Sequence, residues 1–261
     1  MCIRDRPHTE RRPYQHSIPD KKPYSPGSFD LNKKLILPCG HHPDKVSLDL
    51  HPPNPPGEPC LHNGHSYGRL NEYLADCVKR FPERFKALAL IDEWKADDPN
   101  ELQTLNHAIQ NLGLHALWFQ SGNLRIHKRA ETVDNPIFYP FWDQVRELGI
   151  PVFWFVTPSI PGKEPYLEEL RAFHRWNERY QDIPVMFTHG IPLFRFMDGD
   201  KISIPEEVWK ILEAPNLLLE LLIPIFQGAI REYPYVECQP IIEEYLERFG
   251  ADKLAWGSDM P

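Results

Sequence analysis

The strongest constraint on this chain is an alternation. From Val46 onward, short continuous apolar runs are separated by amphipathic stretches. The spacing predicts strands over Val46–His51, Phe85–Ile91, Leu114–Phe119, Ile150–Val156, Ile183–Thr188, Leu217–Leu222 and Leu254–Trp256. Between them it predicts helices over Leu70–Phe81, Asn100–Asn111, Pro140–Leu148, Tyr166–Tyr180, Glu206–Leu212 and Ile241–Phe249. Gly113, Gly149 and Gly250 stand where helices should stop. Runs that are apolar throughout belong to a parallel sheet buried on both faces. Seven such units are one short of a (β/α)8 barrel. The rival, a doubly wound open sheet, would carry a glycine-rich phosphate turn after an early strand, and none is present.

Composition narrows the function. The net charge of -8 disfavours a nucleic-acid binder, which would carry a basic excess. No apolar run reaches the length of a membrane span. Cys2, Cys39, Cys60, Cys77 and Cys238 show no CxxC spacing, so a reducing, cytoplasmic setting is expected. Met1–Arg6 reads as the translation of a sequencing adaptor, which leaves residues 7–261 as one partial barrel domain. The first βα unit and the last helix are then expected to be missing. Such a fragment should be inactive and, with an open sheet edge, prone to aggregate.

Several segments together carry a resemblance. They are Tyr67-Gly68-Arg69-Leu70-Asn71-Glu72-Tyr73-Leu74, Arg80–Phe85, Gly149–Trp154, Thr188-His189-Gly190 and Trp256-Gly257-Ser258-Asp259-Met260-Pro261. The chain from about Asp44 resembles the amidohydrolase-related family, which takes in metal-dependent hydrolases and aminocarboxymuconate-semialdehyde decarboxylase-like enzymes. The resemblance implies a distorted (β/α)8 barrel with its site at the C-terminal strand ends. It also implies a divalent metal, with zinc as the expected ion. A His-x-His pair on strand one, a histidine ending strand five and an aspartate ending strand eight would hold that metal. A histidine ending strand six would act on the metal-bound water or the substrate.

Carried over residue by residue, Asp259 matches the strand-eight aspartate, as a metal ligand and a catalytic group. Its alternative role is a helix cap. His189 matches the strand-six histidine and would move a proton; otherwise it would satisfy loop backbone groups. Two departures stand out. Phe155 occupies the place of the strand-five histidine, and the chain contains no His-x-His. Asp49-Leu50-His51-Pro52 imitates that pair, but its distance from Asn71 fits strand two better, which places the true pair upstream of Pro7.

The remaining candidates are weaker. The loop Pro52–Pro59 follows a strand, where barrels place active-site loops. Beyond it, His65 is a candidate substrate contact, while His62, His41 and His42 read as loop residues. Arg125, in the loop after strand four, could pair with a substrate carboxylate, or could be a surface arginine. Trp154, with Trp118, Phe119 and Phe155, could line an aromatic pocket or fill the core. Asp92 could face the site or serve as a cap. Glu220 interrupts a buried apolar run, so its carboxylate should be paired or functional.

The sequence thus reads as a metal-dependent hydrolase or non-oxidative decarboxylase for a small carboxylate, lactone or aromatic acid. Its alternative is a metal-free barrel that binds a small molecule or partner without turnover. The resemblance also allows a homodimer, for which the residues give no signal of their own.

Overall fold

A computed structural model describes residues 34–36, 70–158, 162–223 and 233–257. Its centre is a seven-stranded, all-parallel sheet. In chain order the elements are β1 (Lys34–Ile36), α1 (Asn71–Arg80), β2 (Phe85–Ala89), α2 (Pro99–Asn106), β3 (Ala116–Gln120), α3 (Asn123–Ile126), α4 (Tyr139–Leu148), β4 (Val152–Phe155), α5 (Lys163–Arg179) and β5 (Val185–Phe187). They continue with β6 (Met197–Asp198), β7 (Lys201–Ile202), α6 (Glu206–Leu212), β8 (Leu217–Leu221), α7 (Gln239–Phe249) and β9 (Leu254–Trp256). The sheet runs β1-β2-β3-β4-β5-β8-β9, so each central strand pairs with its successor, as in a barrel wall. The short β6–β7 hairpin stands apart from this sheet.

Six of the expected strands are present. The seventh, Val46–His51, lies outside the described residues. The strand beside β2 is instead Lys34–Ile36, whose Lys34 pairs with Phe85. Its signal in the sequence is only Leu35-Ile36-Leu37 between two lysines and Pro38, too short to stand out as a period. The helix expected over Asn100–Asn111 divides into α2 and a π turn over His107–Asn111.

Side-chain alternation gives the sheet two buried faces. Ala87, Leu117, Phe119, Val152, Trp154, Val185, Phe187, Leu217 and Leu219 belong to the large core shared with the helices. Leu88, Leu90, Ala116, Trp118, Phe153 and Met186 form a second, smaller core on the opposite face, with Phe155, Leu218 and Ala255 at its margin. That inner cluster is the interior of a curled sheet, the packing of a partial TIM-like barrel.

Between sheet and helices lies an aromatic block. Trp154 stacks on Trp142 at 5.5 Å and meets Trp176 at 4.7 Å and Phe173 at 5.0 Å, all from α4 and α5. The end of β2 is fixed by a side chain. The Asn71 amide accepts from Leu90 N at 2.8 Å and donates to Leu90 O at 2.9 Å, taking the part of a neighbouring strand.

Candidate active site

The inner face reaches the carboxyl ends of the strands at Gln120 on β3, Phe155 on β4 and Glu220 on β8, with His189 just beyond β5. Thr188 N still bonds Trp154 O at 3.0 Å, so the ladder holds to the last residue before the turn. The chain then bends sharply, because His189 and Gly190 both have φ of +64°. Glycine adopts that conformation freely; histidine does so at a cost of about 1–3 kcal/mol, which the surroundings must offset. One offset is visible. The Glu220 carboxylate accepts a hydrogen bond from His189 N at 2.6 Å.

The imidazole itself is confined. His189 is 8% exposed. Its ring lies on Phe155 at 4.2 Å and meets the edge of Trp118 at 6.1 Å. Nδ1 stands 3.2 Å from the Thr188 hydroxyl. A small concavity beside it is lined by Ile191, Leu193, Leu221, Ile223, Glu220 and Tyr245. A histidine held this way, on an apolar wall at a strand end, can give or take a proton at one fixed place.

A ring of buried polar groups anchors the neighbouring strand ends. Glu93 is fully buried; its carboxylate accepts from Gln120 N at 3.2 Å and from Asn123 Nδ2 at 3.0 Å. Gln120 Nε2 donates to the Thr157 hydroxyl at 3.2 Å. Asp92 does not cap the short turn it precedes; it pairs with Lys95 at 2.8 Å. Nothing in the sequence marks Glu93, which reads there as one more loop acid.

The sequence-predicted residues separate into three groups. His189 stands just beyond the carboxyl end of β5. Asp259 and His65 lie outside the described residues. Arg125 and Trp154 are placed elsewhere. Arg125 Nε is 3.3 Å from Glu169 Oε1 on α5, so its guanidinium is already engaged. Burial pushes the Glu169 carboxyl above its ordinary range, against the opposing pull of Arg125 and the Ser121 hydroxyl. Trp154 is fully buried on the helix side of β4. The period of two turns its neighbours inward, so Trp118 and Phe155 form the aromatic wall and Phe119 and Trp154 fill the core. Glu220 is half-buried, and one group its carboxylate holds is the backbone amide of His189.

The described strand ends do not fit a metal. Phe155 offers no donor, and the Glu220 carboxylate already holds His189 N. Among the described residues, no three histidine, cysteine, aspartate or glutamate side chains are placed to bind one ion. No helix among them is long and apolar enough to cross a membrane.

A curled parallel sheet with helices outside and polar groups gathered at its carboxyl ends is the architecture of the (β/α)8 barrels. Within that class, the chain belongs to the amidohydrolase family, whose model matches residues 48–261. Two solved structures with a TM-score of 0.50 agree with the fold. A probable 2-pyrone-4,6-dicarboxylic acid hydrolase from Acinetobacter baumannii is 16% identical, with a TM-score of 0.50 over 74% of this chain and 64% of that one. A putative hydrolase of the same description from Pseudomonas putida is 14% identical, with a TM-score of 0.50 over 75% of this chain and 64% of that one. A dihydroxybenzoic acid decarboxylase from Polaromonas, solved with manganese and 2-nitroresorcinol, is 17% identical, with a TM-score of 0.48 over 73% and 63%. This chain therefore spans less than two thirds of each of these structures. Comparison with curated protein sequences gives no match.

Proposed function

We propose that the complete protein is a hydrolase or non-oxidative carboxy-lyase acting on a small carboxylate, lactone or aromatic acid. The observation that carries this is His189, fixed at a strand end against the Phe155 and Trp118 rings inside a barrel of the amidohydrolase family. An aromatic or lactone ring would lie against that wall while the imidazole moves a proton to or from the reacting carbon or oxygen. A positioned general acid or base of this kind is worth about 10²–10⁴-fold in rate.

Asp259 would assist as a second catalytic group and as one ligand of a divalent cation. Zinc is the ion expected from the sequence, and manganese is the ion in the decarboxylase structure. When bound, such a cation would supply a Lewis acid for the developing oxyanion. The other donors would have to come from outside the described residues. His65 remains a proposed substrate contact. Arg125 would serve only by exchanging Glu169 for a substrate carboxylate. A cytoplasmic location and a homodimer complete the proposal.

Phe155 favours a second reading, a barrel that binds such acids without turning them over. One experiment separates the two. The complete protein is incubated with 2,6-dihydroxybenzoate, 5-carboxyvanillate and 2-pyrone-4,6-dicarboxylate, the compounds named for related structures, with zinc or manganese added. Turnover of one of them, lowered about 10²–10⁴-fold in His189→Gln, supports the enzyme. Saturable binding of one without turnover supports the binding barrel. If none of the three is either turned over or bound, the substrate class is wrong.

A further inference from the structure

We propose that Glu220 is a positioning residue for His189, acting through the backbone amide of that residue. The inference rests on the reading of His189 as the proton-moving group, and extends it to the residue that sets its geometry.

Three strand ends converge on this one residue. Glu220 sits inside the apolar run Leu217–Leu222, on the inner face of β8. Its Oε2 accepts from His189 N at 2.6 Å, across the β5–β8 step. A charge-assisted bond that short is among the stronger ones a protein makes. On the β5 side, a side chain at Gly190 would collide with the Glu220 carbonyl oxygen. On the β9 side, a side chain at Gly257 would collide with the Glu220 carboxylate. Gly257 N in turn bonds Leu221 O at 3.2 Å, which holds β9 against β8. Glycine thus stands at two close approaches to Glu220, Gly190 against its carbonyl and Gly257 against its carboxylate.

The arrangement explains why an acid interrupts an otherwise apolar strand. His189 N points away from the strand ladder once φ turns positive, and the residue is largely buried. Without an acceptor, that donor would be left unsatisfied and the left-handed turn would lose a restraint. The turn in turn aims the ring at Phe155 and Trp118. Glu220 therefore sets the ring's position through the turn.

The test uses the full chain labelled with ¹⁵N and with ¹³C-histidine, and compares Glu220→Gln, Glu220→Leu and Gly257→Ala with the parent. Gln keeps a side-chain oxygen at the same reach; Leu keeps the volume and removes the acceptor. Loss of one charge-assisted bond should speed exchange of the His189 amide by about tenfold or more in Glu220→Leu, relative to the Val185–Phe187 amides. It should also shift the His189 imidazole resonances. Glu220→Gln should stay within about threefold of the parent, because an acceptor remains. A purely structural role would loosen all these amides together and would not be rescued by Gln. Unchanged His189 exchange in the Leu variant, or equal effects of Gln and Leu, overturns the proposal. Should the Leu variant not fold, Gly257→Ala decides: it crowds the carboxylate without deleting it, and unchanged His189 exchange there also overturns the proposal. Turnover of the three acids by His189→Gln is scored separately. Parent-like turnover with a responsive His189 amide leaves the positioning intact and removes the catalytic reading; the opposite pair of results does the reverse.

Discussion

The rings of Phe155 and His189 lie face to face, 4.2 Å between centroids and 28° between planes, at the carboxyl ends of β4 and β5. The strand end where the family resemblance places a donor thus carries an apolar platform for the histidine of the next strand. Replacing Phe155 by Leu keeps most of the apolar volume and removes the stack. Such ring pairs are worth about 0.5–1.5 kcal/mol beyond the area they bury, and the variant should lose that much stability in urea unfolding. An unchanged midpoint would mean the stack contributes nothing to the fold.

Trp154 and Trp118 lie on opposite faces of the sheet and should respond differently. Trp154→Ala opens a cavity among Trp142, Phe173 and Trp176 and should cost about 3–5 kcal/mol in denaturant unfolding. Binding of any ligand by the fraction that stays folded should be unaltered. Trp118→Ala should weaken ligand binding, since that ring borders His189. Calorimetric titration of both variants checks the contrast, and a reversal of their roles would contradict the assignment of faces.

Gly113 and Gly190 both have positive φ, +73° and +64°. Nothing stands near a side chain added at Gly113, so Gly113→Ala should cost only the left-handed backbone term, about 1–2 kcal/mol. Gly190→Ala meets the Glu220 carbonyl as well and should cost at least about 1 kcal/mol more, from overpacking against backbone. Equal melting shifts for the two variants would show that β8 yields easily beside β5.

Glu169 gives the stability a pH dependence of definite sign. Burial raises its carboxyl above the ordinary value of 4.5, with Arg125 pulling the other way. Between the ordinary and the raised value, the folded chain holds a proton that the unfolded chain has released. This group therefore weakens the fold as pH rises through that window, and has no effect below it. Glu169→Gln removes the dependence. Parent stability relative to the variant should fall as pH rises from about 4.5, read from urea midpoints across the range. A difference that stays flat with pH would show that Arg125 and Ser121 fully compensate the burial.

Much of the fold is legible in the chain. The alternation of apolar runs and amphipathic stretches reports six strands and their helices, because burial on both faces demands continuous apolar sequence. His189 is legible from its place one residue beyond such a run. Glu220 is legible as an anomaly, since a lone acid in a buried strand must have a partner. Lys34–Ile36 is not legible, because three residues set no period and only pairing with β2 makes them a strand.

The identity of each partner is another matter. Composition and local pattern determined a parallel α/β sheet and which residues would sit at its strand ends. The sequence could not say which of Trp118, Phe119, Trp154 and Phe155 face inward, because a one-residue change of register exchanges the two faces. Nor could it join Arg125 to Glu169, 44 positions apart, or Glu220 to the backbone of His189. Those pairings arise only when separate strands and helices are brought side by side. It is the curl of the sheet that carries the carboxylate of β8 to the amide of the residue that follows β5.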